Sequence, residues 1–122
     1  MTSEEFEAIV RQTVADFPPE FKRNISNVAI LVEEWPDEDT LDDAEVDSPL
    51  DLFGFYHGVP LTGRTQNYGL VLPDKISIYR QPITRACQSD AEIRETIQRT
   101  VKHELAHYFG IDDDRLDELG AY

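Results

Sequence analysis

SDAEIRETIQRTVKHELAHYFG, residues 89–110, carries every signal that a helix needs. Ser89 and Glu92 form an S-x-x-E capping box, in which each side chain satisfies a backbone N–H that the first turn leaves without a partner. Ile93, Ile97, Val101, Leu105 and Tyr108 then recur at helical spacing and define one apolar stripe. Gly110 follows where a helix C-terminus favours a residue free to turn left-handed. The spacing predicts a helix from about Asp90 to Phe109.

Upstream, Thr2 and Glu5 make a second capping box, and Phe6, Ile9, Val10, Val14 and Phe17 mark another amphipathic helix. Pro18-Pro19 stops it, and a short turn or helical piece follows through Phe21. Val28 to Val32 is an unbroken β-branched and apolar run, expected to be a buried strand. Glu33 to Asp51 holds many acids and no Lys or Arg, with Trp35-Pro36 and Ser48-Pro49, and reads as a loop. Its acids read first as a solvated surface, with a calcium site or a contact for a basic partner as alternatives; it lacks the D-x-D-x-D-G order of an EF-hand loop. Further strands are expected at Leu52–Tyr56, near Tyr68–Leu72 and at Lys75–Arg80, the last ended by Pro82. Long helices at both ends with strands between them predict an α+β (mixed α/β) domain, a small mixed sheet packed on two long helices.

The 122 residues suit a single domain, 1–122, with 40% apolar residues for a modest core. Twenty-five acidic residues against eleven basic ones, a formal charge of −14, argue against nucleic-acid and anionic-membrane partners. No run approaches the ~20 apolar residues that cross a bilayer. The acidic N-terminus does not resemble a signal peptide. The one cysteine, Cys87, permits no intramolecular disulfide and reads as a packed thiol. These features predict a cytoplasmic protein.

The chemistry lies on the last helix. His103-Glu104-Leu105-Ala106-His107 is an H-E-x-x-H pentapeptide. Four residues turn ~400°, so both imidazoles leave nearly the same helix face and can share one zinc ion. Glu104 lies roughly 100° further round, placed to act on a water as general base rather than to hold the metal. A catalytic zinc site takes three protein ligands. Beyond the helix, Gly110 can bend the chain back, and Asp113 is the expected third ligand. Spacing favours it over Asp112 and Asp114, and carboxylate oxygen is an acceptable zinc donor. His57, in the turn-rich segment 56–60, reads as a loop histidine rather than a ligand. Tyr79 and Tyr108 read as packing residues rather than oxyanion stabilisers.

At this point the chain resembles the small bacterial zincin-like metallopeptidases, minimal metzincin-like domains. The resemblance rests on residues 103–114 (HELAHYFGIDDD), with 72–80 (LPDKISIYR) and 55–61 (FYHGVPL), and covers most of the chain from about Val28. The metzincin pattern H-E-x-x-H-x-x-G-x-x-H is met except that Asp113 replaces its last His, similar to the snapalysin-type proteases. The resemblance implies a compact fold with the active-site helix beside a mixed sheet. It also implies zinc on His103, His107 and Asp113, Glu104 as the catalytic residue, and a peptide or protein as substrate. The only methionine is Met1, so no Met-turn of the metzincin type is expected after the motif, nor the C-terminal subdomain that walls one side of a metzincin cleft. The alternative function is a non-catalytic zinc domain acting as an interaction or structural module.

Overall fold

A computed structural model describes residues 1–22, 25, 28–58 and 74–110. Helix α1 spans Ser3–Ala15 and is followed by the short α2, Pro19–Lys22. Strand β1 (Val28–Glu33) leads to helix α3 (Glu38–Ala44), a 3-10 turn at Pro49–Asp51 and strand β2 (Gly54–His57). Strand β3 (Asp74–Tyr79) runs directly into helix α4 (Arg80–Ala86), and helix α5 spans Asp90–Phe109.

Both long helices begin at the expected N-cap residues. Thr2 Oγ1 accepts from Glu5 N at 3.1 Å, and Ser89 Oγ accepts from Glu92 N at 3.2 Å. The reciprocal half of each box differs: Glu92 accepts from Gln88 N at 2.6 Å, and Glu5 accepts from the Thr2 hydroxyl at 3.2 Å. The expected stripe of α5 is its inner face: Ile97, Val101 and Leu105 are fully buried, and Ile93 and Tyr108 nearly so. Phe6, Ile9 and Val10 of α1 enter the same core, and α1 packs along α5.

The sheet has the order β1-β3-β2 and is mixed. β3 pairs in parallel with β1, from Val28 opposite Asp74 to Glu33 opposite Tyr79. It pairs antiparallel with β2, from Gly54 opposite Ile78 to His57 opposite Lys75. Its central place pairs both of its edges, and both of its faces are covered: Ile76 and Ile78 join the helical core, while Ser77 and Tyr79 on the other face are also buried. The Ser77 hydroxyl is satisfied by donating to the Glu33 carboxylate. The expected architecture, a small mixed sheet against two long helices, is the one observed.

Four local expectations are corrected. Strand β1 is not a buried strand: among the described residues it lies at the edge of the sheet, with Ala29 and Leu31 exposed and Val28, Ile30 and Val32 only part-buried. The acidic stretch 33–51 is not one loop: α3 and the 3-10 turn form within it. Asp37 caps α3 by accepting from Thr40 N at 2.8 Å, and Glu38 and Asp39 place negative charge at the helix's positive end. The last expected strand ends at Tyr79 rather than Arg80, because Arg80 opens α4. Pro82 sits in the first turn of that helix, where its missing N–H costs nothing. The second strand is shifted to Gly54–His57, so His57 belongs to a strand and not to a loop. The strand expected near Tyr68–Leu72 lies outside the described residues.

Candidate metal centre

Three groups hold α5 in place. Its middle lies on β2 and β3. Its C-terminal end is gripped by aromatic rings: Phe109 stacks on Phe17 with centroids 6.2 Å apart and meets Phe21 at 5.0 Å. Gly110 then ends it in the left-handed conformation, φ 73° and ψ 26°, and its N–H reaches the His107 carbonyl at 3.0 Å. The last two helical turns, which carry the histidines, are therefore fixed from both sides.

His103 and His107 lie one turn apart on the face away from Val101 and Leu105. Their ring centroids are 4.3 Å apart, with the planes at 69°. His107 is exposed and His103 half-buried, so the pair opens to solvent. Glu104 is buried, at 7% exposure, and its Oε2 lies 3.4 Å from His107 Nδ1. One donor atom from each of His103, Glu104 and His107 falls within 4.8 Å of the others. Two nitrogens bound to one zinc at 2.0–2.1 Å stand at most about 4.2 Å apart, so modest rotamer adjustment brings the imidazoles onto one ion. Imidazole nitrogen is also a donor that zinc favours. The residues present therefore fit a zinc ion. Asp113, the expected third ligand, lies outside the described residues, as do Asp112 and Asp114.

Burial of Glu104 has a cause that sequence reading missed. Gly54, the first residue of β2, lies against α5 with no side chain between them. A Cβ there would come within 2.7 Å of Thr100 Cγ2, 3.1 Å of the Ser77 carbonyl oxygen and 3.3 Å of Glu104 Cγ. The available signal was a lone glycine inside a strand, which marks close backbone approach. Beside this contact is an open cavity of about 230 Å³, between the segment Asp51–Gly54 and the helix residues Arg99, Thr100, His103 and Glu104.

The remaining candidates serve packing. Tyr108 is buried and meets the Tyr56 ring edge-on at 5.9 Å. The Tyr56 hydroxyl donates to the buried Asp74 carboxylate at 2.6 Å. Tyr79 is buried on the far face of the sheet, and burial raises its phenol pKa. His57 does not join the histidine pair. Its Nε2 is buried and has no hydrogen-bond partner among the described residues, and burial, then the charge of Lys75, lowers its pKa. Cys87 is half-buried, packed against the core, with Sγ 3.4 Å from Thr96 Oγ1. Among the described residues, no helix is long and apolar enough to cross a membrane.

An α+β domain with a histidine pair and a glutamate on its final described helix has the framework of a zincin. Comparison with known proteins supplies the family. The zincin-like metallopeptidase family matches residues 25–121, and the chain belongs to it. Among solved structures, a conserved hypothetical protein from Thermo thermophilus has a similar fold, with a TM-score of 0.58 at 20% identity over 98% of this chain and 97% of that one. No curated protein matches the chain.

Proposed function

We propose that the protein is a zinc-dependent, metallopeptidase-like hydrolase acting on a peptide or protein substrate. His103, His107 and Asp113 would hold the ion, and Glu104 would be the general base. Two imidazoles one helical turn apart with the Glu104 carboxylate close beside them, in a chain of the zincin-like family, carry this reading. When bound, zinc supplies Lewis-acid polarisation of the scissile carbonyl and acidifies water toward a pKa of ~7.

The chain's own residues do the rest. His103 and His107 fix the place of reaction, with His103 at the rim of the cavity. Glu104, held by its contact with β2, accepts the proton of the attacking water on a carboxylate oxygen. It then returns that proton to the nitrogen of the leaving amine. Burial limits the rotamers open to Glu104, and such positioning is what general-base catalysis requires. The single cysteine supports a reducing compartment, and we place the protein in the cytoplasm.

The test is hydrolysis of a mixed peptide library by zinc-loaded protein, beside Glu104→Gln. Cleavage is expected to fall by about 10²–10⁴-fold in the variant while its zinc content is unchanged. Equal turnover by the two proteins would overturn the mechanism.

A further inference from the structure

We infer that Arg99 selects substrates carrying a carboxylate, which its guanidinium binds in the cavity beside Glu104. This inference rests on the hydrolase reading of the same site. Arg99 stands four residues before His103, ~6 Å along the helix axis and on the same face. It lines the cavity that His103 and Glu104 border, together with Phe53 and Thr100. A second cavity, of about 260 Å³, continues past Arg99 toward Cys87 and Thr96, and shares Arg99 and Phe53 with the first. Arg99 thus borders both cavities, the second of which is also lined by Glu92 and Glu95. An extended peptide advances ~3.3 Å per residue. A chain whose scissile bond lies at His103 and Glu104 therefore brings a group one or two residues away beside Arg99.

The guanidinium is available to such a group. Among the described residues, its ion pair is from Nη2 to Glu95 Oε1, at 3.1 Å, with both side chains exposed. An exposed pair one turn apart is worth only a few tenths of a kcal/mol, so it orients Arg99 without committing it. Arg carries five N–H donors in a planar fork that matches a carboxylate bidentately. The surrounding field opposes this preference. The chain carries a charge of −14, and Asp51 also borders the cavity, so long-range electrostatics favour cationic peptides. A preference for carboxylates must come from Arg99 itself and must vanish with it. The carboxylate is either a Glu or Asp side chain or the C-terminus of the peptide.

The test uses acetylated alanine-based hexapeptides with Glu, Gln or Lys at each position in turn, each with a free or an amidated C-terminus. Their binding to zinc-loaded Glu104→Gln protein is measured by calorimetry at 0.15 M salt, with and without Arg99→Gln. Far-UV dichroism and melting temperature check that this exposed substitution leaves the fold intact. A carboxylate peptide is expected to bind at least tenfold tighter than its neutral counterpart, and the ratio should fall below about threefold in Arg99→Gln. Loss on amidation alone identifies the C-terminal carboxylate; loss on Glu→Gln alone identifies the side chain. Equal ratios with and without Arg99, or tightest binding by Lys peptides, would overturn the inference. Zinc content of the same samples separates the two readings. Zinc uptake without carboxylate preference removes only the role of Arg99. Preference through Arg99 in a chain that takes up no zinc removes only the metal chemistry.

Discussion

Gly54→Ala is expected to damage the protein through one methyl group. The added Cβ would lie 2.7 Å from Thr100 Cγ2 and 3.1 Å from the Ser77 carbonyl oxygen. Carbon atoms in comfortable contact are ~3.5–4.0 Å apart, so the first clash needs about 1 Å of movement. Thr100 is β-branched within a helix, so its alternative rotamers are few. Ser77 belongs to the central strand and is held on both sides. Relief must come from α5 lifting off β2, which carries Glu104 with it. Overpacking of this kind costs ~1–3 kcal/mol, and the smaller entropy of unfolded alanine returns ~0.4–1. Taken at mid-range the net loss is ~1.3 kcal/mol, or a melting temperature lower by about 3–8 °C for a domain of this size. Thr100→Ala in the same chain removes Cγ2 and should restore most of the loss. Calorimetric melting of the single and double variants is the assay. A Gly54→Ala protein as stable as the parent, or a double variant no better than the single, would refute the packing argument.

Other perturbations probe the same frame. Tyr56→Phe removes the hydroxyl that donates to buried Asp74 and should cost ~1–3 kcal/mol in urea unfolding, whereas an unchanged midpoint would show that the bond contributes nothing. His57 has a folded-state pKa below its ordinary 6.5, because burial and Lys75 oppose its charge and outweigh Glu33, Asp37 and Asp43. Its unfolded form binds the proton more readily, so its contribution to stability is complete above about pH 6.5 and is lost as pH falls through the folded pKa. The melting temperature of His57→Phe should therefore fall less than the parent's between pH 7 and 5, and parallel curves would contradict this. His103→Ala should lose at least tenfold in zinc affinity while keeping its helical dichroism, as read by a competing chromophoric chelator. Removing metal from the parent should lower the melting temperature by mass action without unfolding it; collapse of the dichroism signal on chelation would oppose that.

Legibility in the sequence followed the range over which each signal acts. Helix α5 was readable from end to end because Ser89, Glu92, the stripe and Gly110 all act within one turn of the residues that they govern. The histidine pair was readable for the same reason, since one helix alone sets its spacing. Helix α3 was hidden because its seven residues contain too few apolar positions to show a period, although Asp37 before Glu38-Asp39 is a helix start. Helix α4 was hidden because Pro82 reads as a stop unless its position in the first turn is known. The contacts made at its start are distant: Arg80 Nε and Nη2 reach the Glu34 carboxylate at 2.8 and 2.6 Å, 46 residues back along the chain. Gly54 falls inside the strand expected at Leu52–Tyr56, where a missing side chain shows that something comes close but not what. Its contact with Thr100 and Glu104 depends on how β2 meets α5, which no local pattern encodes.

The division of labour on α5 explains why metal and fold should be separable. The helix has its own caps, its own buried stripe and an aromatic clamp at its end, none of which uses a histidine. Ile97, Val101 and Leu105 secure the inner face, and His103 and His107 project from the other. A small domain whose core is built around its metal unfolds when the ion leaves. Here the core closes behind the candidate site, so an ion there would act on a scaffold already formed. Glu104 is the one group that belongs to both faces. Its stem is packed against β2 and its carboxylate reaches the histidines. Any change that shifts β2 against α5 should thus alter the chemistry before it alters metal affinity, because the imidazoles move together on one rigid helix while the glutamate answers to the sheet.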